Sequence, residues 1–190
     1  MGEPVEAFFT GREVFADILT SYYTDYEPES LFVADSEGVV VGYLMGCKNT
    51  SRKERIFLRK ILPKAIINLL KQGAVFKKKN ALLLWNVLKN LFRGELSPPK
   101  IPKVYSAHLH IDIDSAFRRC GIGRRLIDAY FDYLIKNKVS GVSLGTFSKA
   151  GMEFFVRSGF TLLWQGKTSL WRYILHKDIP TASFGKILTP

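Results

Sequence analysis

Apolar residues recur along this chain at two periods, near 3.6 and near 2, and the changes between them divide it into elements. REVFADILTSYY (12–23) is apolar at positions 14, 15, 18, 19 and 22. That spacing predicts a helix ending before Glu27 and Pro28. LFVAD and VVVGYLMG flank SEG and predict two strands, with Gly38 supplying the turn between them. IFLRKILPKAIINLLKQ and NALLLWNVLKNLF return to helical spacing, separated by Gly73 and the run Lys77, Lys78, Lys79. SPPKIP (97–102) then breaks the chain rigidly. A helical insertion over about residues 50–100 is expected from this pattern.

VYSAHLHIDID (104–114) alternates cleanly, with Ala107, Leu109, Ile111 and Ile113 on one face and His108, His110 and Asp112 on the other. GIGRRLIDAYFDYLIKN predicts a strong helix and GVSLGT a short buried strand. KAGMEFFVRSGF predicts a helix stopped by Gly159, and TLLWQ with SLWRYILH a closing hairpin. Strand, glycine turn, helix, strand, helix and hairpin is an α/β order with one parallel crossover at its centre.

Composition narrows the class. At 190 residues, 47% of them hydrophobic and 13% aromatic, the chain reads as one well-cored domain over 1–190 rather than a disordered one. No apolar run reaches membrane-spanning length, because Lys and Pro interrupt residues 56–92. Cys47 and Cys120 are the two cysteines and lack metal-ligand spacing. With no secretory signal peptide at the start, a reducing, cytoplasmic location is expected, without a metal. Glu6 stands where a myristoylation signal wants Ser or Thr, which argues against lipidation of Gly2. The net charge is +11, and its placement is uneven: residues 48–93 hold 13 Lys and Arg against Glu54 alone, leaving 15 basic and 16 acidic residues elsewhere.

FRRCGIGRRLIDAY (117–130) puts two glycines among four arginines at the mouth of the predicted helix. Backbone N–H groups at a helix start are unpaired and favour an anion, and arginines add charge-assisted bonds. The turn lacks the GKS or GKT ending of a Walker A loop and does not complete a GxGxxG fingerprint. Arg118-Arg119-Cys120-Gly121-Ile122-Gly123 resembles the [Gln/Arg]-x-x-Gly-x-[Gly/Ala] signature of the GNAT superfamily of N-acetyltransferases. SKAGMEFFVRSGF (148–160) resembles that family's N-x-x-A-x-x-F-Y-x-x-x-G-F segment. The resemblance covers the core from about Glu29 to His176, excepting the insertion. HLHID followed by GVSLGT is similar to the acetyltransferase-like domains found alongside O-GlcNAc hydrolases.

The resemblance implies a mixed, mostly antiparallel sheet of six or seven strands flanked by helices, and acetyl-CoA as co-substrate for transfer to a primary amine by direct attack. It implies that the cofactor lies where the strand ending at Ile113 splays from the strand starting near Val142. Ile111 and Ile113 would pair with pantetheine through their backbone. The N–H groups of Arg119, Cys120, Gly121, Ile122, Gly123 and Arg124 would hold the pyrophosphate, with Arg118, Ser148 and Phe155 completing the set. Several positions depart from the family pattern: the usual tyrosine is Phe155, which has no proton to give, the Asn is Ser148, the Ala is Gly151, and a strand-end Pro is Ser115.

Among candidate bases His108, His110, Asp112, Tyr105 and Glu153, the first choices are His110 and Asp112, against a purely structural polar row beneath a helix. Cys120 reads as loop filler and Cys47 as core. For the basic insertion four uses stay open: a wall of the pocket for a small-molecule amine acceptor of anionic character, peripheral membrane contact through residues 52–93, a homodimer face, or a solvated surface. Nucleic acid is the least favoured partner, since no base-reading motif accompanies the charge.

Overall fold

The computed structural model describes residues 9–93 and 101–189. Gly2 and most of SPPKIP lie outside the described residues. Within them run α1 (Arg12–Asp25), β1 (Leu31–Ser36), β2 (Val39–Cys47), α2 (Thr50–Ile56), a π-helical stretch (Phe57–Ile61), α3 (Leu62–Lys71) and α4 (Lys78–Phe92). β3 (Ala107–Ile113), α5 (Ile122–Lys136), β4 (Gly141–Thr146), α6 (Lys149–Arg157), β5 (Thr161–Thr168), the single turn α7 (Arg172–Leu175) and β6 (Ile179–Ile187) follow. The six strands form one sheet in the order β1-β2-β3-β4-β6-β5. Every neighbouring pair is antiparallel except β3 and β4.

The first hairpin turns through Glu37 (φ 55) and Gly38 (φ 83). Two consecutive left-handed residues match the right-handed twist of the flanking strands. The Asp35 carboxylate accepts the Gly38 N–H at 3.0 Å. In the insertion, the helix predicted over residues 56–72 is in fact the π stretch and α3, preceded by α2. Pro63 cannot donate to the carbonyl four residues back, and the backbone widens immediately before it.

α5 and α6 cover one face of the sheet. Leu126, Ile127, Tyr130 and Leu134 pack on Leu44, Leu109, Val142 and Phe184 in the main core. Gly46 of β2 is required there, because a side chain would collide with the Tyr130 ring. The Tyr130 hydroxyl donates to the carbonyls of Cys47 and His108 at 3.1 and 3.0 Å, tying α5 to two adjacent strands. On the opposite face α1 and the π stretch close a smaller core of Tyr22, Tyr23, Met45, Cys47 and Ile61. Burial pushes the Cys47 thiol up to about 11, so it is inert packing. The buried Glu27 carboxylate knots this side by accepting from the Tyr22 hydroxyl (2.7 Å), the Ser30 hydroxyl (2.7 Å) and the Lys48 N–H (2.8 Å).

The last hairpin corrects the sequence expectation. SLWRYILH is not a strand: β5 ends at Thr168, α7 follows, and His176 (φ 51) ends it in a left-handed conformation. The apolar residues Leu170, Trp171, Ile174 and Leu175 have helical spacing despite their strand-favouring types. The returning strand is IPTASFGKI, whose Ser183 and Gly185 weaken its apolar signature, yet it lies between β4 and β5 with Ala182 and Phe184 buried. The sheet thus runs past His176 to Ile187.

Candidate functional site

β3 and β4 pair at only two positions, Ala107 with Val142 and His108 with Ser143, and then separate. β3 continues five residues beyond that point and stays paired with β2, while β4 stays paired with β6. Which backbone groups face the gap follows from the hydrogen-bond phase. The Asp114 N–H donates to the Val41 carbonyl at 2.9 Å, which directs the even-numbered residues of β3 toward β2. The odd-numbered ones therefore point at the gap. Leu188 N–H to the Ser140 carbonyl, also 2.9 Å, similarly sends the even-numbered residues of β4 toward β6 and leaves Gly145 facing the gap. Among the described residues, Ile111 on one wall and Gly145 on the other have no strand partner across the gap, which leaves a wedge between the two strands.

Ile113 is different from the expectation. Its N–H donates to its neighbour Asp112 Oδ1 at 3.0 Å, and its carbonyl accepts from Arg118 Nε at 3.0 Å. Both groups are already engaged, so Ile111 is the open position of the predicted pair. Arg118 likewise closes the strand end rather than facing a ligand, and its guanidinium lies 3.7 Å from exposed Asp112.

The glycine turn stands at the same end of the wedge. Asp114 caps a short 3-10 turn by accepting from Ala116 N–H at 2.8 Å, and Ser115 opens that turn where the family has proline. Arg119 (φ 67) and Gly121 (φ 77) are both left-handed. A non-glycine residue pays for that conformation, and such outliers concentrate at ligand sites. The α5 ladder begins with Arg125 N–H to the Gly121 carbonyl at 3.1 Å. None of the N–H groups from Arg119 to Arg124 donates to a backbone oxygen among the described residues. Those six stand at the positive end of a fifteen-residue helix, an array of donors of the kind that suits an anion. A Cβ at Gly121 would meet nothing within 4 Å, whereas one at Gly123 would press on the Phe154 ring at 3.0 Å. Gly121 keeps the approach open and Gly123 lets α6 pack close. The Arg124 guanidinium is paired with Asp128 at 2.8 Å, so its backbone is what it offers. Cys120 is exposed, its thiol 3.7 Å from the Arg118 carbonyl.

On α6 the structure explains two departures. Ser148 is the N-cap, accepting Gly151 N–H at 3.0 Å. An alanine at 151 would set its Cβ 2.9 Å from the Ser148 hydroxyl and 2.5 Å from that of Thr146, a crowding that glycine avoids. Phe155 is buried among Phe154, Phe160 and Phe184, so it shapes the core behind the wedge and handles no proton.

His108, His110 and Asp112 share the face opposite α5, in register with Cys47, Met45 and Tyr43. They do not form a hydrogen-bonded row: His108 Nδ1 is out of contact with solvent and has no partner among the described residues, and Asp112 bonds its own neighbour's N–H. Desolvation, reinforced by Lys53 and His110, pushes His108 down to about 3, so it is a neutral structural imidazole. His110 stands two residues past the last β3–β4 pair, exposed where the strands part. Desolvation lowers its pKa too, opposed by Asp112 and aided by Lys53. Asp112 therefore touches His110 only through its charge and does not orient it. Tyr43, which sequence reasoning missed, lies with its ring centroid 6.1 Å from that of His110. Desolvation and then Asp112 raise its pKa, so it keeps its proton. Only the β2–β3 register brings these two together, and no sequence signal links positions 43 and 110.

No helix among the described residues is long and apolar enough to cross a membrane, and no group of three or more His, Cys, Asp or Glu among them is placed to hold a metal. No protein-family model and no curated protein matches the sequence. Solved structures do match. SsHAT is 24% identical, with all of this chain and 87% of that one covered and a TM-score of 0.67. Ard1 from Thermoplasma volcanium is 15% identical over 90% of this chain and 78% of that one, TM-score 0.51. The ribosomal-protein-alanine N-acetyltransferase from Brucella melitensis is 16% identical over 88% and 75%, TM-score 0.50. With its splayed parallel pair and the glycine turn that opens α5, the chain has the GNAT acetyltransferase fold.

Proposed function

We propose that this protein is an acetyl-CoA-dependent N-acetyltransferase that acylates a primary amine of a small molecule by direct attack. The observation that carries it is the combination of the β3–β4 wedge with six free N–H groups at its mouth. HLHID and GVSLGT support a place near the acetyltransferase-like domains found alongside O-GlcNAc hydrolases. The N–H groups of Arg119 to Arg124 would hold the pyrophosphate, and the backbone of Ile111 and Gly145 the pantetheine arm. Bound acetyl-CoA supplies an activated acyl carbon and a thiol leaving group acidic enough to depart without strong assistance.

The chain's own side chains then manage protons. His110, held neutral by its lowered pKa, is the group that would accept the proton shed by the amine nitrogen once it has attacked the acyl carbon, when that nitrogen becomes strongly acidic. Tyr43, held protonated beside it, takes the donor role that Phe155 does not fill. The packed faces on either side fix these groups relative to the strand ends, which is where proximity acts.

Calorimetric titration with acetyl-CoA, coenzyme A and ATP at fixed salt tests the binding half. Selective binding of acetyl-CoA and coenzyme A is expected, and equal binding of ATP as a mere polyanion would sink the reading. Thiol release with a panel of primary amines tests the chemistry. His110→Gln should lower kcat by about 10²-fold, the lower end for a general base, with cofactor affinity unchanged. Tyr43→Phe should do less, since the leaving group is good.

A further inference from the structure

Helix α4 is inside out. Its buried residues are Asn80 and Asn90. Asn80 accepts the Thr10 N–H at 2.7 Å and donates to the carbonyls of Thr10 and Ala74, each at 2.8 Å. Asn90 accepts the Ser169 hydroxyl at 3.1 Å and donates to the Asn86 carbonyl at 2.7 Å. Polar side chains thus clamp the helix to the body at both ends. Most of its large apolar residues are left outside: Leu84, Trp85, Leu88, Leu91 and Phe92 are exposed, Trp85 at 65% and Phe92 at 88%, while Leu83 and Val87 are half-buried. At 100° per residue these five fall within an arc of roughly 120°, a continuous stripe. Phe76, in the turn just before α4, is 83% exposed. Lys77, Lys78 and Lys89 lie beside the stripe and are exposed as well.

A monomeric protein rarely leaves so large an apolar stripe in water. Its surroundings say what covers it. Residues 48–93 carry 13 Lys and Arg against one acid. A second copy would bring like charge against like charge. A nucleic acid would answer the lysines but leave Trp85, Phe92 and the leucines in water. An anionic bilayer answers both, because aromatic and aliphatic side chains enter the headgroup boundary while lysines meet the negative surface.

We infer that α4, with Phe76, is a membrane-surface helix that docks the protein on anionic phospholipid. The inference is independent of acetyl transfer. It is tested with the full chain by co-sedimentation with vesicles of phosphatidylcholine alone and of phosphatidylcholine mixed with phosphatidylglycerol. Binding to the mixed vesicles should be more than tenfold tighter, and should weaken with salt. Trp85→Ser with Phe92→Ser should cut it tenfold or more without moving Tm or coenzyme A affinity. Lys77→Glu, Lys78→Glu and Lys89→Glu together should abolish the preference for the anionic lipid. Equal partition to both vesicles, or undiminished binding by the Ser variant, overturns the inference. So does absence of vesicle binding, with self-association seen by sedimentation velocity pointing to a second copy and duplex DNA binding to a nucleic acid instead.

Discussion

Helices α4 and α5 are each fifteen residues long and each carries apolar residues at helical spacing, yet they use them in opposite directions. α5 buries Ile122, Leu126, Ile127, Tyr130, Phe131 and Leu134 and leaves Arg124, Arg125 and Asp132 exposed. α4 buries two asparagines and presents most of its leucines and both aromatics to solvent. The apolar stripe of α5 is therefore part of the fold's stability, and its packing fixes where the helix N-terminus stands. The apolar stripe of α4 contributes little to folding. The difference teaches that a helical apolar period shows only that a face seeks a partner, inside the chain or beyond it.

The largest expected effect is on the α5 side. Leu134→Ala should cost about 2–5 kcal/mol in urea denaturation, the range for a fully buried leucine that leaves a cavity. Acid should come next. His108 is neutral when folded, with its pKa depressed to about 3 against 6.5 for the free side chain. Below pH 6.5 the unfolded chain binds a proton that the folded one refuses. Stability is therefore intact above that pH and falls toward pH 3, with a slope of up to about 1.4 kcal/mol per pH unit from this group. His108→Leu should flatten that part of the profile, and an unchanged slope would remove His108 from the explanation.

The clamps of α4 come third. Asn80→Ala leaves two carbonyls and an N–H unanswered and should cost about 1–3 kcal/mol. Gly121→Val tests the glycine turn: strain at φ 77 should cost about 1–2 kcal/mol of stability, while coenzyme A affinity should fall tenfold or more. Retained affinity would show that the turn binds no pyrophosphate. The smallest effect is predicted for Trp85→Ala, within about 0.5 kcal/mol. A loss as large as that of Leu134→Ala would make α4 an ordinary core helix and dissolve the contrast.

Much of this was legible in the chain itself. The alternation of AHLHIDI set β3 and its two faces, and Gly121 and Gly123 at the head of the next helix marked the turn, because both signals are local. Gly145 and Tyr43 were not legible. Each acquires its place only through strand pairing, Gly145 because β4 leaves β3 after Ser143 and Tyr43 because it lies across from Asp112 and beside His110. Ile113 and Asp112 read as site residues by position, but short contacts within the turn occupy them first. SLWRYILH misled because aromatic, β-branched content is shared by strands and by a packed helical turn.

Sequence alone determined the order of elements as far as β5, the single crossover, the concentration of basic charge between β2 and β3, and the glycine turn at the head of α5. These depend on side-chain period and backbone freedom, which neighbours along the chain decide. Tertiary structure decided which backbone groups stay unpaired at the wedge, which histidine is sealed and which is open, and that α4 faces outward. Those outcomes depend on competition among distant partners for each hydrogen bond and each buried face, and only the folded chain resolves it.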